Sequence, residues 1–173
     1  MSDDAAKTTD EFSTHVERAS DRELVLRRTF RARPQIVFDA MTKAELIRKW
    51  WIPRSRGVEL FECTTDPRVG GAYRFVFGRK DQPRMAFSGI YKEFVSGARV
   101  AYTQIFEDGR GFGREAGEGL ITATYEATSE GFTRLMQREL YPSKEVLDGA
   151  IASGMEKGMR ETLDQLAVLV TEL

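Results

Sequence analysis

Histidine is almost missing from this sequence. The single one, His15, stands near the amino terminus, in a stretch expected to be a disordered leader. A folded domain beginning after it has no imidazole for a Ser-His-Asp or Cys-His arrangement and no histidine ligand for a metal. Cysteine is equally scarce. Cys63 has no partner for an internal disulfide, and on a predicted strand with no obvious base nearby it reads as a small buried hydrophobe without a chemical role. Charge of one sign is not in excess: 26 Lys and Arg against 27 Asp and Glu leave a formal charge of -1, which gives no global case for nucleic acid or an anionic membrane surface. No apolar run approaches the roughly 20 residues that span a bilayer. The opening Met1-Ser2-Asp3-Asp4 lacks the basic and apolar regions of a signal peptide, so the expected location is the cytoplasm. No metal and no cofactor are expected.

What is present is the composition of an ordinary folded protein: 173 residues, 41% hydrophobic and 31% charged, enough for one domain with a substantial core. Residues 1–21 are polar and without apolar periodicity, which predicts a disordered leader ahead of a single domain over 22–173. Alternation over 23–30 predicts a strand. Pro34 then opens a helix with Ile36, Val37, Ala40 and Met41 on its apolar side. Thr42 is placed to cap a second helix carrying Leu46, Ile47, Trp50 and Trp51, which Pro53 ends. Six further strands are predicted over 58–65, 72–78, 85–94, 99–106, 119–127 and 133–140, each bounded by turn residues, with connections short enough for an antiparallel meander. After Ser143, a good N-cap, Leu147, Ile151, Met155, Met159, Leu163, Leu166 and Val170 form an apolar stripe. They predict one continuous helix of about 28 residues, roughly 42 Å long. The economical packing is an α+β fold in which a curved antiparallel sheet of six to seven strands wraps around the long carboxy-terminal helix. The two short helices after the first strand close one end, and the gap between sheet and helix is a natural place for a cavity.

Strand parity singles out two polar residues. On 120–127, Ile121, Ala123 and Tyr125 face inward while Thr122, Thr124 and Glu126 face water. On the next strand an inward Leu135 carries Gln137 and Glu139 to the same face. Polar groups in an apolar interior must be paired or solvated by a cavity, although Glu139 near the strand end has solvent or an arginine as alternatives. Two consecutive helical tryptophans diverge by about 100°, so that one can line a cavity while the other seals it. Gly109-Arg110-Gly111-Phe112-Gly113 lies between predicted antiparallel strands and lacks a following helix, so it reads as a hairpin loop that could border a cavity mouth rather than as a phosphate cradle. Gly154 and Gly158, four apart in the predicted helix, each cost about 1 kcal/mol of helix propensity, compensated either by close approach to the sheet or by room for a bound molecule.

Several segments together carry a resemblance. Phe38-Asp39-Ala40-Met41-Thr42 leads to Trp50-Trp51-Ile52-Pro53. These are followed by Asp66-Pro67-Arg68-Val69-Gly70-Gly71, then Ser88-Gly89-Ile90-Tyr91-Lys92-Glu93, and lastly Gly154-Met155-Glu156-Lys157-Gly158-Met159 before Leu163 and Leu166. In this order, from about Arg22 to Leu173, they resemble the SRPBCC (START-like, helix-grip, Bet v-like) superfamily. More narrowly, the chain is similar to bacterial homologues of the carboxy-terminal domain of the activator of the ninety-kilodalton heat-shock-protein ATPase. Met159 stands where family members often carry a tryptophan, which alters the pocket. The resemblance implies a cavity for an apolar or amphipathic small molecule, and the lining expected here is Trp50, Trp51, Tyr73, Phe75, Phe77, Phe87, Tyr91, Thr103, Gln137, Glu139, Met155 and Met159. It also implies two rivals: a co-chaperone-like module whose partner is a chaperone ATPase in the stress response, and a polyketide cyclase or dehydratase. In the latter Glu139 would be the acid or base and Tyr91 a hydrogen-bond donor. No nucleic-acid or membrane partner is expected, and the aromatic-rich strands leave a homodimer open.

Overall fold

The computed structural model describes residues 11–110 and 113–173. Eight strands form one antiparallel sheet: β1 (His15–Ser20), β2 (Glu23–Phe30), β3 (Glu59–Thr65), β4 (Ala72–Gly78), β5 (Met85–Val95), β6 (Arg99–Glu107), β7 (Gly119–Ala127) and β8 (Thr133–Leu140). Their order across the sheet is β1-β2-β8-β7-β6-β5-β4-β3, so the early and late strands meet at β2–β8. Register shifts in β1–β2, β3–β4 and β5–β6 mark irregularities of the kind that bend and twist a sheet. Four helices accompany it among the described residues: α1 (Pro34–Thr42), α2 (Ala44–Ile47), α3 (Lys144–Ala152) and α4 (Met155–Val170). Together with short 3₁₀ turns at Arg54–Arg56 and Arg114–Ala116, they complete a helix-grip architecture.

The strand count is eight because the segment expected to be a leader contributes β1. β1 and β2 form a hairpin, paired from His15 with Arg27 to Ser20 with Glu23, in which Val16 faces Leu26 and Glu17 faces Val25. The approach to it is tied down as well. The Glu11 carbonyl accepts from the Thr29 amide at 2.8 Å, and buried Thr14 accepts through Oγ1 from Arg28 Nη1 at 3.0 Å and through its carbonyl from Arg160. Backbone pairing to β2 and one buried arginine thus order a stretch that has little apolar content of its own.

The long helix is two helices. Ser143 caps α3 as expected, its Oγ accepting from the Val146 amide at 3.2 Å, but Gly154 adopts the left-handed conformation (φ +80°, ψ 21°), which interrupts the helix, and α4 begins after it. The apolar stripe is therefore divided. Leu147 belongs to α3 and is fully buried, Leu163, Leu166 and Val170 belong to α4 and pack into the main core, and Ile151, just before the break, is 40% exposed. The second short helix is also truncated: α2 has four residues, and Trp50 and Trp51 lie in the turns beyond it. Thr42 does not cap α2; its hydroxyl donates to the Phe38 carbonyl and closes α1 instead.

The main core lies between α4, α1 and the inward faces of β2, β6, β7 and β8. Leu26, Phe30, Val37, Phe38, Val100, Ala123, Tyr125 and Leu135 meet Leu163, Leu166 and Val170 there. Cutting the fully buried Leu166 or Leu135 back to alanine is expected to cost about 2–5 kcal/mol. The Arg28 guanidinium sits within this interface, 7% exposed, and joins Asp164 of α4 at 2.5 Å, so the sheet and α4 are linked by an ion pair as well as by apolar packing.

Candidate functional site

Between the sheet and the α3–α4 pair the packing is incomplete, leaving a cavity of about 780 Å³. Its size suits a small organic molecule. The floor is set by strand alternation: Tyr73, Phe75 and Phe77 on β4, Phe87 and Tyr91 on β5, Tyr102, Gln104 and Phe106 on β6, Ile121, Ala123 and Tyr125 on β7, and Gln137 and Glu139 on β8. Val146, Gly149 and Ser153 of the α3 region and Met155, Met159 and Thr162 of α4 form the opposite wall. The break at Gly154 leaves residues of two helices on this wall.

All the expected lining residues border this cavity except Thr103. Its strand neighbours Tyr102 and Gln104 face inward, so parity puts Thr103 on the outer face, in register with exposed Leu120. There its Oγ1 accepts from the Ile90 amide at 2.9 Å, and its carbonyl accepts from the Tyr73 hydroxyl at 2.7 Å. The tyrosine contact requires Gly89, where a Cβ would lie 1.8 Å from the Thr103 carbonyl oxygen and 2.8 Å from the Tyr73 ring. Sequence reasoning missed Met41, Met85, Tyr102, Phe106 and Tyr141. Tyr102 could have been found by extending the alternation used for β7 to β6.

The two tryptophans diverge as their adjacency requires. Trp50 is 6% exposed and donates through Nε1 to the Ala40 carbonyl at 2.8 Å, fixing the turn to α1. Trp51 packs against the rings of Phe75, Phe77 and Phe87 at centroid distances of 5.0, 5.1 and 6.0 Å, building an aromatic wall that continues to Phe106. The segment after it is clamped to α4. Gln165 Nε2 donates to the Trp50 and Ile52 carbonyls, Gln165 Oε1 accepts from the Arg54 amide, and Glu161 accepts from the amide and hydroxyl of Ser55. Those bonds to Ser55 hold the Glu161 carboxyl below its ordinary pKa.

The opposite end is polar. Glu139 lies in register with Leu24 on one side and Ile121 on the other, and is 9% exposed. Its Oε1 accepts from Gln137 Nε2 at 3.3 Å; its Oε2, also buried, has no hydrogen-bond partner among the described residues. Burial pushes the carboxyl up to about 7, with Gln137 and the nearby Tyr141 hydroxyl partly offsetting the effect. That hydroxyl is itself directed at Met155 Sδ, 3.4 Å away, as the Tyr125 hydroxyl is at Met41 Sδ. A thioether is a weak acceptor, and the Tyr141 hydroxyl interacts with the Glu139 carboxyl as well. Tyr91 is pushed up to about 12 by burial, which makes it a neutral donor rather than a base near pH 7.

Cys63 is buried, pushed up to about 11 by burial, with its Sγ toward the Ala44 carbonyl. His15 is exposed on the edge strand β1 and does not border the cavity. No cluster of three or more metal-ligating side chains occurs among the described residues. No helix among them is long and apolar enough to cross a membrane. The glycine-rich loop leads from β6 to a three-residue 3₁₀ turn and not to a helix; Gly113 and Gly117 border the cavity, while Gly111 and Phe112 lie outside the described residues. Of the two helix glycines, Gly154 is the break itself, and Gly158 lies at the cavity edge, where a Cβ would come within 3.8 Å of Arg56 and Pro53.

Comparison with known proteins is consistent with this architecture. A crystal structure of a Rhodobacter sphaeroides protein is 25% identical and superposes with a TM-score of 0.81 over 93% of this chain and 100% of that one. A Chromobacterium violaceum protein is 30% identical, with a TM-score of 0.69 over 86% of this chain and 97% of that one. A Staphylococcus epidermidis protein solved by NMR is 25% identical, with a TM-score of 0.71 over 91% and 93%. No curated protein matches. The family described as Activator of Hsp90 ATPase homolog 1-like protein matches residues 31–171, and the chain belongs to that family, which is of the START/SRPBCC type.

Proposed function

We propose that this protein binds a small amphipathic molecule in the cavity between its sheet and its α3–α4 helix pair. The observation that carries this reading is the asymmetry of the 780 Å³ space: an aromatic wall around Trp51 at one end and a buried, incompletely bonded carboxylate at the other. Such a space favours a ligand with an apolar body and one polar group, because burying the body removes apolar surface from water while the polar group satisfies Glu139. Native mass spectrometry of freshly purified protein tests the reading. A retained mass of a few hundred daltons, released on denaturation, is the expected result, and uniformly ligand-free protein that also binds no apolar probe would count against it.

A second reading is supported by Glu139 alone. A carboxyl titrating at about 7 beside a neutral tyrosine suits general acid–base chemistry of the cyclase or dehydratase kind. Under that reading Glu139→Gln abolishes turnover while leaving binding in place. Family membership also supports a co-chaperone-like role, tested by adding the protein in stoichiometric amount to a purified chaperone ATPase. Clear stimulation would displace the small-molecule reading as the primary one.

A further inference from the structure

Within the proposed binding cavity, we infer that the Glu139 end is a subsite for a protonated amine, which would donate to Glu139 Oε2 with its apolar body running along the row of Ile121, Tyr102 and Tyr91. This deepens the binding reading and rests on it.

The sheet register supplies the row. Glu139 is paired with Ile121, Ile121 with Tyr102, and Tyr102 with Tyr91, so these side chains cross β8, β7, β6 and β5 in one line on the cavity floor. At about 4.8 Å per strand, the line leads from the carboxylate to the tyrosine cluster over roughly 14 Å. Tyr73, Tyr91 and Tyr102 stand there with ring centroids 5.3–5.9 Å apart. These rings offer an apolar, polarisable surface to the ligand's body at the end of the row away from the carboxylate.

The acceptor is specific. Oε2 is a buried oxygen without a partner, and the charged form of Glu139 receives only a long bond from Gln137 and help from Tyr141. An ionised carboxylate buried this way is costly unless a cation joins it. No cation among the described residues does so: Arg56, the other charged residue described at the cavity border, lies on the Gly158 side and lowers the Glu161 carboxyl. A neutral hydroxyl would fill the hydrogen bond but leave the charge unbalanced. An anionic ligand would be repelled.

The groups facing Glu139 from each packed element set the expected pH response. Leu24 of β2, Ile121 of β7, and Val146 and Met155 of the helices are uncharged; Tyr102 and Tyr141 titrate, but burial holds both well above neutrality. Among these described residues, Glu139 is thus the one whose charge changes between pH 6 and 8.

Three probes of matched body decide the matter: 4-phenylbutylamine, 4-phenyl-1-butanol and 4-phenylbutyrate, titrated calorimetrically into the full chain at pH 8 and pH 6. The amine is expected to bind at least ten-fold more tightly than the alcohol at pH 8, and the butyrate most weakly. The amine's advantage should shrink at pH 6, where binding should release a proton, seen as a buffer-dependent enthalpy. Glu139→Gln should remove the advantage and the proton release while retaining alcohol binding; the wild-type ranking tests the inference even if that variant folds poorly. Equal binding of all three overturns the amine subsite and leaves the cavity reading standing. Binding of none overturns both.

Discussion

At the scale of single residues, Glu139 is a buried carboxyl with one oxygen that has no hydrogen-bond partner among the described residues. A carboxyl that titrates at about 7 in the folded protein against an ordinary 4.5 binds its proton more tightly folded than unfolded. Between those values the native state holds a proton that the unfolded state has lost, so stability falls as pH rises from about 4.5 to 7 and is level above. Glu139→Gln carries no such proton. Relative to wild type it should gain about 1–3 kcal/mol between pH 4.5 and pH 7.5, read from urea unfolding at several pH values. Parallel curves for the two proteins would mean that the carboxyl is not buried. Gln137 acts in the opposite sense, because its amide supports the charged form. Gln137→Leu should fold and raise the Glu139 pKa further, observed by carboxyl-carbon NMR. Both residues were legible as inward-facing from the two-residue period of β8, starting from Leu135. The orphan oxygen was not, since it depends on Tyr141, whose hydroxyl turns toward Met155 from beyond the strand end.

At the scale of elements, the strands were readable because alternation and turn residues are local, and β4, β7 and β8 begin and end where those signals place them. The errors fall where a non-local partner or one backbone angle decides. β1 has weak apolar content and is held by β2 and by Arg28 and Arg160 reaching Thr14. Removing residues 1–20 is therefore expected to lower the melting temperature by several degrees, since it strips the β2 edge and leaves the buried Arg28 short of an acceptor; an unchanged melt would show that β1 contributes nothing. The helix stripe continues across Gly154 with unbroken spacing, so periodicity alone cannot reveal the left-handed residue within it. The two glycines consequently separate. Gly154→Ala should destabilise by about 1–2 kcal/mol through its positive φ, although a Cβ there meets open space. Gly158→Ala, inside α4 with nothing nearer than 3.8 Å, should stabilise by up to about 1 kcal/mol. Chemical denaturation of the pair checks both signs, and equal effects would argue for one unbroken helix.

At the scale of the whole molecule, a sheet of eight strands gripping a broken helix leaves space that its own side chains do not fill, with aromatic and polar ends set by the register. The sequence pointed to such a space through the gap expected between a curved sheet and the helix it grips, and through the family resemblance. It did not reveal the break at Gly154 that divides the helix wall, nor Thr103 facing outward. Methionine provides internal reporters for the central claim that the space receives ligand. Met41, Met85, Met155 and Met159 border the cavity, whereas Met136, on the opposite face of β8 from Gln137, does not. The most direct measurement is a titration of methyl-labelled protein with 4-phenyl-1-butanol followed by carbon–proton NMR of these methyl groups. The four cavity methyls should shift along saturable curves with one shared dissociation constant while Met136 stays fixed. Cavity methyls that do not move, or a Met136 that moves with them, would contradict binding in the cavity.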